Sequence, residues 1–159
     1  YLFNEQESNG SWFGRWGSNY IYGTWSVLEA MQLAKVDRQH EAIRKAVQWL
    51  KSKQRPNGGW GETNDTYLDP RQAGEFNVST SFQTAWALLG LMAAGEVNST
   101  AVQKGISYLM KTQADDHLWY EPWFTAPGFP RVFYLKYHGY SKYFPVWALI
   151  RYRTLTTER

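Results

Sequence analysis

The stretch that decides the fold is WLKSKQRPNGGW, at residues 49–60. It contains an aromatic–Leu pair, a Gln four positions after the Leu, and a Trp six positions after the Gln. The same element occurs in two further places, and its three Gln and Trp pairs are Gln6 and Trp12, Gln54 and Trp60, and Gln113 and Trp119. The glutamines are 48 and 59 residues apart, which is a period typical of stacked supersecondary units.

Each copy of this element is predicted to staple helices together. Its Gly is expected to supply a turn conformation, its Gln to hydrogen-bond free backbone groups at a helix end, and its Trp to cover the Gln and the next helix. Gly10 and Gly58 fit this pattern, but His117 stands at the equivalent position of the third copy. We therefore expect the third turn to be distorted or to adopt another conformation.

The segments between the copies predict two pairs of helices. Residues 22–34 and 81–94 are apolar on nearly all sides and predict buried helices, whereas residues 37–53 and 99–111 are amphipathic. A buried helix followed by a half-exposed helix, twice over, favours an all-α fold with the inner and outer rings of an α/α barrel; a solenoid is the alternative. The predicted N-caps of the amphipathic helices are Asp37 and either Asn98 or Ser99.

Two stretches are predicted to be irregular. The longer interval between the second and third copies indicates an inserted loop, and residues 62–79 have loop composition. The other stretch is predicted to be a non-helical lid or wall, and it contains Pro122, Pro127 and Pro130.

The composition excludes several classes of function. The 17 Lys and Arg residues against 14 Asp and Glu give a net charge of +3, without the dense basic stripe that nucleic-acid binding requires. The absence of Cys excludes disulfides and thiolate metal sites. His40, His117 and His138 are too far apart in sequence to predict a metal site, and no cofactor motif occurs. We interpret His40 as a solvated helix residue and His138 as structural.

The Gln…Gly-x-Trp element with its alternating helices resembles the QW motif of the triterpene cyclases. Further blocks, in the same order, are similar to the bacterial squalene–hopene cyclases and lie at residues 10–17, 19–25, 58–62, 83–88, 128–137 and 143–152. The segment Phe129 to Tyr140 resembles the squalene–hopene type rather than the oxidosqualene type. The resemblance covers almost the whole chain, and residues 1–159 are expected to be a fragment, the C-terminal part of the catalytic barrel domain, because Tyr1 follows no Met.

This resemblance implies an isomerase of two helical barrel domains that cyclises squalene to hopene and hopanol inside a large apolar cavity. It implies no metal, no other cofactor and no nucleic acid. It also implies that the parent enzyme is attached, as a peripheral or monotopic protein, to the cytoplasmic side of a bacterial membrane through regions outside this chain, and it allows a homodimer. No uninterrupted apolar stretch here approaches the ~20 residues that span a bilayer.

Polyene cyclisation proceeds through carbocations, which stray water or a lone pair would trap. Aromatic faces attract cations without readily bonding to them, and aromatic residues make up 18% of this chain. By resemblance, Phe129 and Phe133 are the catalytic residues that stabilise late cations, and the cavity is shaped by Trp16, Tyr22, Tyr137 and Tyr140. Spacing alone favours the interpretation that all six are ordinary core aromatics, and the assignment rests on the resemblance.

The proton donor that starts the reaction is expected to lie elsewhere. The family uses an Asp-x-Asp-Asp motif, which does not occur here. Asp65, Asp69 and the Asp115–Asp116 pair are interpreted as surface residues.

Three other classes of protein share some features with this chain. A prenyltransferase β-subunit needs a zinc-binding Cys, which this chain lacks. A carbohydrate-acting barrel needs paired carboxylates, and the apolar helices carry almost none beyond Glu29. A non-catalytic isoprenoid- or lipid-binding α/α-barrel module stays open as the alternative.

Overall fold

The computed structural model describes residues 1–157, and its main elements are helices. The helices are α1 Tyr20–Leu33, α2 Glu41–Ser52, α3 Ser81–Ala93, α4 Thr100–Thr112 and α5 Tyr140–Thr157. The strands β1 Ala126–Phe129 and β2 Phe133–Leu135 form one antiparallel hairpin, and two short 3-10 turns span Asn64–Tyr67 and Pro70–Gln72. The predicted all-α class is therefore confirmed.

The helices form two layers with α3 at the centre. Helix α3 packs between α1 and α5 in one layer, and α2 and α4 lie outside it. All 13 residues of α3 are buried, whereas α2 and α4 bury one face each. This is the predicted arrangement of inner and outer helix pairs, and it follows from the all-round apolar sequence of α3 beside the amphipathic sequences of α2 and α4.

The start of α2 differs from the prediction. The helix begins at Glu41 rather than at Asp37, and the Nδ1 atom of His40 accepts the capping hydrogen bond from the backbone N–H of Ala42 at 3.2 Å. Asp37 instead accepts a bond from the backbone of Gln39 at 2.9 Å in the preceding turn. His40 is exposed, as expected, but it caps the helix and stacks on Phe3 at 4.4 Å. An Asp side chain can stabilise a turn as well as a helix start, and here the turn is formed. For α4, the structure selects Ser99 as the cap.

The Gln of the repeat joins its own turn to the next outer helix. Gln6 Nε2 donates to the carbonyls of Gly10 at 2.9 Å and Ala42 at 2.8 Å. Gln54 Nε2 does the same with the carbonyls of Gly58 and Ala101, both at 2.8 Å. The carbonyls of Ala42 and Ala101 lie in the first turns of α2 and α4, where helix carbonyls already have backbone donors. The prediction that the Gln bonds free groups at a helix end was therefore wrong.

The Trp of the repeat takes that role instead. The indole N–H of Trp60 donates to the carbonyl of Leu50 at 2.7 Å, and that of Trp119 donates to Leu109 at 3.0 Å. Each acceptor belongs to the last turn of the preceding helix, where carbonyls lack the regular intrahelical donors; Leu50 O also accepts from the backbone of Lys53 at 3.2 Å. Trp60 also lies against α4, because a Cβ atom at Gly105 would be 2.8 Å from its ring. Trp60 thus covers the next outer helix, α4, rather than only the helix that follows it in the sequence.

The third turn is not distorted, contrary to expectation. His117 has φ 64°, in the left-handed region that Gly10 and Gly58 also occupy. Gln113 Nε2 donates to its carbonyl at 2.7 Å, as in the other copies. Glycine is required in those copies because an added Cβ would lie 2.7 Å from Lys45 O or 2.5 Å from Lys104 O. His117 is exposed, so in the part of the chain that the structure describes no helix approaches it so closely.

The C-terminal third contains two elements that the sequence did not predict. The hairpin lies within the predicted non-helical segment and pairs Ala126 with Leu135 and Phe129 with Phe133, with an irregularity at Gly128. Helix α5 contains Pro145 and packs on α3, and an ion pair between Arg151 and Glu29 joins it to α1. None of the helices within residues 1–157 is both long and apolar enough to cross a bilayer.

We predict that Gln54→Ala lowers the free energy of unfolding by about 1–3 kcal/mol, because it leaves two carbonyl acceptors without their donor. Gln113→Ala is the matched control, since Gln113 makes one such bond in an exposed turn. Urea unfolding of the protein that contains this chain measures both. An equal loss for the two variants would contradict the proposed link to the next outer helix.

Candidate functional site

Aromatic rings from α1, α3 and α5 meet around Trp86, at the centre of α3. Trp86 lies parallel to Trp25 at 6.2 Å and 7°, and Tyr22 contacts it edge-on at 5.0 Å. On the α5 side, Tyr140 and Phe144 approach Trp86 edge-on at 5.9 and 5.4 Å. Inner-layer packing therefore creates one continuous aromatic cluster from residues far apart in sequence. We call it the Trp86 cluster.

Three of the predicted site residues belong to this cluster. Tyr22 and Tyr140 contact Trp86 directly, and Tyr137 stacks on Tyr140 at 5.0 Å and 28°. Burial raises the pKa of Tyr22 and of Tyr140, so both hydroxyls are uncharged at neutral pH. Tyr137 is exposed, and it extends the cluster outward from the buried layer.

Phe129 and Phe133 form a separate pair on the hairpin. Their ring centroids are 5.6 Å apart at 62°, and their side chains are 61% and 45% exposed. Gly128 allows Phe133 to fold back over the hairpin, because an added Cβ there would lie 1.9 Å from the Phe133 ring. Two large apolar rings are thus presented together on the surface of the described residues.

Trp16 lies in the loop before α1 and is 64% exposed. The guanidinium of Arg15 lies 5.4 Å from its ring centroid. This loop is next to the hairpin segment, since the backbone N–H of Ser18 donates to the carbonyl of Thr125 at 3.0 Å. Thr125 also accepts, through Oγ1, a bond from the backbone of Tyr137 at 2.9 Å. The three groups of aromatic residues are therefore connected through Thr125.

The indole N–H groups in the interior of the Trp86 cluster have no nearby hydrogen-bond acceptor in the described part of the chain. The buried indole N–H groups of Trp25 and Trp86 have no hydrogen-bond partner among residues 1–157. The same residues contain no group of three His, Cys, Asp or Glu side chains that could hold a metal ion. The local environment is apolar, and its π-faces are the features available for interaction with a cation.

Comparison with known proteins agrees with this geometry. The family model described as the squalene-hopene cyclase C-terminal domain matches residues 1–154. This chain belongs to that family. It is 60% identical to the squalene–hopene cyclase of Zymomonas mobilis over 98% of the chain and 24% of that protein. It is 46% identical to the squalene–hopene cyclase of Alicyclobacillus acidocaldarius, covering 100% of the chain and 25% of that protein.

A plant relative has a different product name. The chain is 45% identical to the dammaradiene synthase of Dryopteris crassirhizoma over 97% of the chain and 24% of that protein. The chain thus spans about a quarter of the length of the curated relatives it matches. The predicted family is confirmed, whereas the individual roles of the six aromatic residues stay predictions.

A buried carboxylate in this cyclase domain was not identified from the sequence. Glu62 is 3% exposed and accepts bonds from the backbone N–H groups of Asn19, Tyr20 and Ile21 at 3.2, 3.1 and 2.9 Å. It caps α1, whose own N-cap residue Asn19 makes no side-chain capping bond. Burial raises the pKa of Glu62, and the backbone amides act in the opposite direction. The carboxylate thus fixes the helix end that carries Tyr22.

Glu121 caps α3 in the same way. Its Oε1 atom accepts a bond from the backbone N–H of Ser81 at 2.6 Å, and burial raises its pKa. Both acids stand two positions after a repeat Trp, Trp60 or Trp119, and each caps the preceding inner helix. That shared spacing is the signal that could have found them, although the first copy has Gly14 at this position.

Gln83 of α3 holds Glu62 from the other side. Its Nε2 atom donates to the carbonyls of Glu62 at 2.9 Å and Ser18 at 3.1 Å, and its Oε1 atom accepts from the Glu62 backbone at 3.0 Å. Gln83 is buried in the central helix, so this network attaches the Trp16 loop to the most buried part of the cyclase domain. The predicted surface positions of Asp65 and of the Asp115–Asp116 pair are confirmed, and Asp69 is partly exposed and pairs with Arg71.

We predict that Glu62→Ala lowers the free energy of unfolding by about 3 kcal/mol or more, because buried N–H donors at the start of α1 lose their acceptor. Glu5→Ala, at an exposed position, is the matched control and is expected to have no measurable effect. Thermal or urea unfolding provides the measurement. If the two variants are equally stable, Glu62 is not the cap of α1.

Proposed function

We propose that this chain forms one wall of the catalytic cavity in a terpene cyclase that converts squalene to hopene and hopanol. The observation that carries the proposal is an aromatic surface in two parts. Tyr137 extends the buried Trp86 cluster outward, and its hydrogen bond to Thr125 holds it beside the hairpin that carries Phe129 and Phe133. Family membership supports it, because relatives of high identity are named squalene–hopene cyclases.

The chemistry of polyene cyclisation explains why such a surface is useful. Each ring closure moves the positive charge along the polyene, and the nearby protein must attract that charge without forming a bond to it. A desolvated aromatic face contributes about 2 kcal/mol to such an interaction. The indole rings of Trp25 and Trp86 meet this requirement. Tyr22 and Tyr140 meet it with their ring faces, because their raised pKa values keep them as neutral phenols rather than the more nucleophilic phenolates.

The exposed rings suggest how the cavity is completed. Trp16, Phe129 and Phe133 present large apolar surface that water covers poorly. Residues outside this chain are expected to cover that surface and enclose the polyene. In the proposed parent enzyme, residues 1–159 form the C-terminal part of the catalytic barrel domain, and the initiating Asp-x-Asp-Asp acid lies elsewhere.

The setting of the parent enzyme is also part of the proposal. Squalene is dissolved in lipid, so the enzyme is expected to be attached to the cytoplasmic side of a bacterial membrane as a peripheral or monotopic protein. Regions outside this chain would make that contact, and a homodimer is compatible with it. No cofactor is needed, because cyclisation rearranges bonds without net oxidation or reduction.

We predict that Phe133→Ala in the full-length protein increases the fraction of incompletely cyclised products about tenfold or more. The variant loses about 2 kcal/mol of stabilisation of the late cations, so the cations that precede them lose a proton before cyclisation is complete. Products from squalene are separated and identified by gas chromatography with mass spectrometry.

Phe3→Ala is the matched control for this experiment. Phe3 is 47% exposed, close to the 45% of Phe133, and its ring also has one aromatic partner, His40. The control is expected to keep the wild-type product profile. An unchanged profile in the Phe133 variant would exclude the proposed role of that ring.

We also predict that the isolated chain of residues 1–159 does not convert squalene, because it contains no Asp-x-Asp-Asp acid to protonate the terminal alkene. Hopene formed by the purified chain would contradict this. A full-length protein that binds squalene but never converts it would instead favour a non-catalytic isoprenoid-binding module.

A further inference from the structure

The inserted loop between the second repeat and α3 contains a tyrosine that the proposed mechanism does not use. Tyr67 ends the 3-10 turn Asn64–Tyr67 and is 2% exposed, although the residues around it form an irregular surface segment. A nearly fully buried side chain in a loop of this kind requires specific partners. Its partners lie in two segments that carry predicted site residues.

The hydroxyl of Tyr67 holds the Trp16 loop. It lies 2.7 Å from the carbonyl of Gly14 and 3.0 Å from the carbonyl of Gly17, the residues that flank Arg15 and Trp16. Both glycines are tightly enclosed, since an added Cβ would lie 2.1 Å from Asn19 O at Gly14 and 2.3 Å from the Tyr22 ring at Gly17. The single hydroxyl proton is shared between two carbonyls, one at each end of the short segment on which Trp16 stands.

The ring and backbone of Tyr67 hold the hairpin. Its carbonyl accepts a bond from Nε of Arg131 at 2.7 Å, in the turn between Phe129 and Phe133. Its ring packs beside that of Tyr134 at 6.0 Å, and Tyr134 is the neighbour of Phe133 in β2. Arg131 has φ 69°, an unusual conformation that a fixed side chain helps to maintain.

Tyr67 therefore contacts both exposed aromatic segments at once. We propose that Tyr67 is a positioning residue that sets the placement of Trp16 relative to the Phe129–Phe133 pair and thereby controls how far cyclisation proceeds. The proposal rests on the proposed cyclase function. It acts through geometry, because the tyrosine hydroxyl faces two backbone carbonyls rather than the aromatic surface. Small displacements of groups around a reacting centre have large effects on rates and product partitioning.

The test uses Tyr67→Phe in the full-length protein, with Tyr108→Phe as the matched control. The hydroxyl of Tyr108 likewise donates to a backbone carbonyl, that of Ser79 at 2.8 Å. Burial raises the pKa of Tyr108 to about 12. It lies on α4, in the outer layer. Both variants keep the aromatic ring and lose hydroxyl hydrogen bonds, so a general loss of stability affects both.

We expect Tyr67→Phe to increase incompletely cyclised products about tenfold relative to wild type, and to speed amide hydrogen exchange in residues 15–18 about tenfold. Tyr108→Phe is expected to change neither. Arg131→Met is a second variant that removes the bond to the Tyr67 carbonyl at an exposed position, and it is expected to shift the product profile as well.

Identical product profiles for folded Tyr67→Phe, Tyr108→Phe and wild-type protein would overturn the positioning role. Absence of any cyclised product from the wild-type protein would overturn the proposed function instead. In that case the hydrogen exchange of residues 15–18 still decides whether Tyr67 holds the loop, so the two failures are distinguishable.

Discussion

The complete burial of α3 is the constraint on which the rest of the structure depends. A helix without an exposed face must be covered by neighbours on all sides, and α1, α5 and α4 supply most of that cover. Two of its polar side chains bond to neighbouring segments. Thr84 accepts from the backbone of Trp60 at 2.9 Å, and Gln83 bonds both Glu62 and the Trp16 loop. The repeat and the site loops are therefore positioned from one helix.

The aromatic surface follows from this arrangement. Trp86 is at the centre of α3, so rings from α1 and α5 reach it from opposite sides. The hairpin and the Trp16 loop lie at the edge of the same layer and are held by the polar residues of the 62–79 loop, Tyr67 above all. Polar and aromatic groups thus have separate roles. Hydrogen bonds fix the backbone of the loops, whereas the indole N–H groups of Trp25 and Trp86 have no nearby acceptor within residues 1–157.

Local patterns in the sequence predicted much of this fold, and long-range contacts account for what they missed. The predicted ranges of α1, α3 and α4 agree with the structure to within two residues, because the distribution of apolar residues within each segment reflects which faces of the helix are buried. The predicted start of α2 was wrong because an Asp side chain such as that of Asp37 can stabilise a turn as well as the start of a helix. Helix α5 was missed because Pro145 interrupts a pattern in which Tyr140, Phe144 and Ala148 pack inward.

The site shows the same division. Resemblance selected Phe129, Phe133, Trp16 and the tyrosines. Trp86 lies in the predicted buried helix 81–94 but was not singled out, and Glu62 and Tyr67 were not identified. Glu62 caps a helix 42 residues before it, and Tyr67 bonds carbonyls 53 and 50 residues away. Contacts at such separations depend on the fold as a whole. The position of Glu62 two residues after the repeat Trp60 is a local signal for its capping role, whereas Tyr67 has no comparable pattern.

The left-handed turn at His117 limits how the repeats can continue. A repeat array grows when the next outer helix packs against the turn of the preceding copy, as α2 and α4 do at Gly10 and Gly58. At those turns a Cβ would overlap the helix backbone, and His117 carries one. Any helix that docks beside the third copy must therefore stand further from the turn than α2 and α4 stand from theirs. A single Gly-to-His difference therefore prevents a helix from packing closely against the third turn, although the conformation of the turn is unchanged.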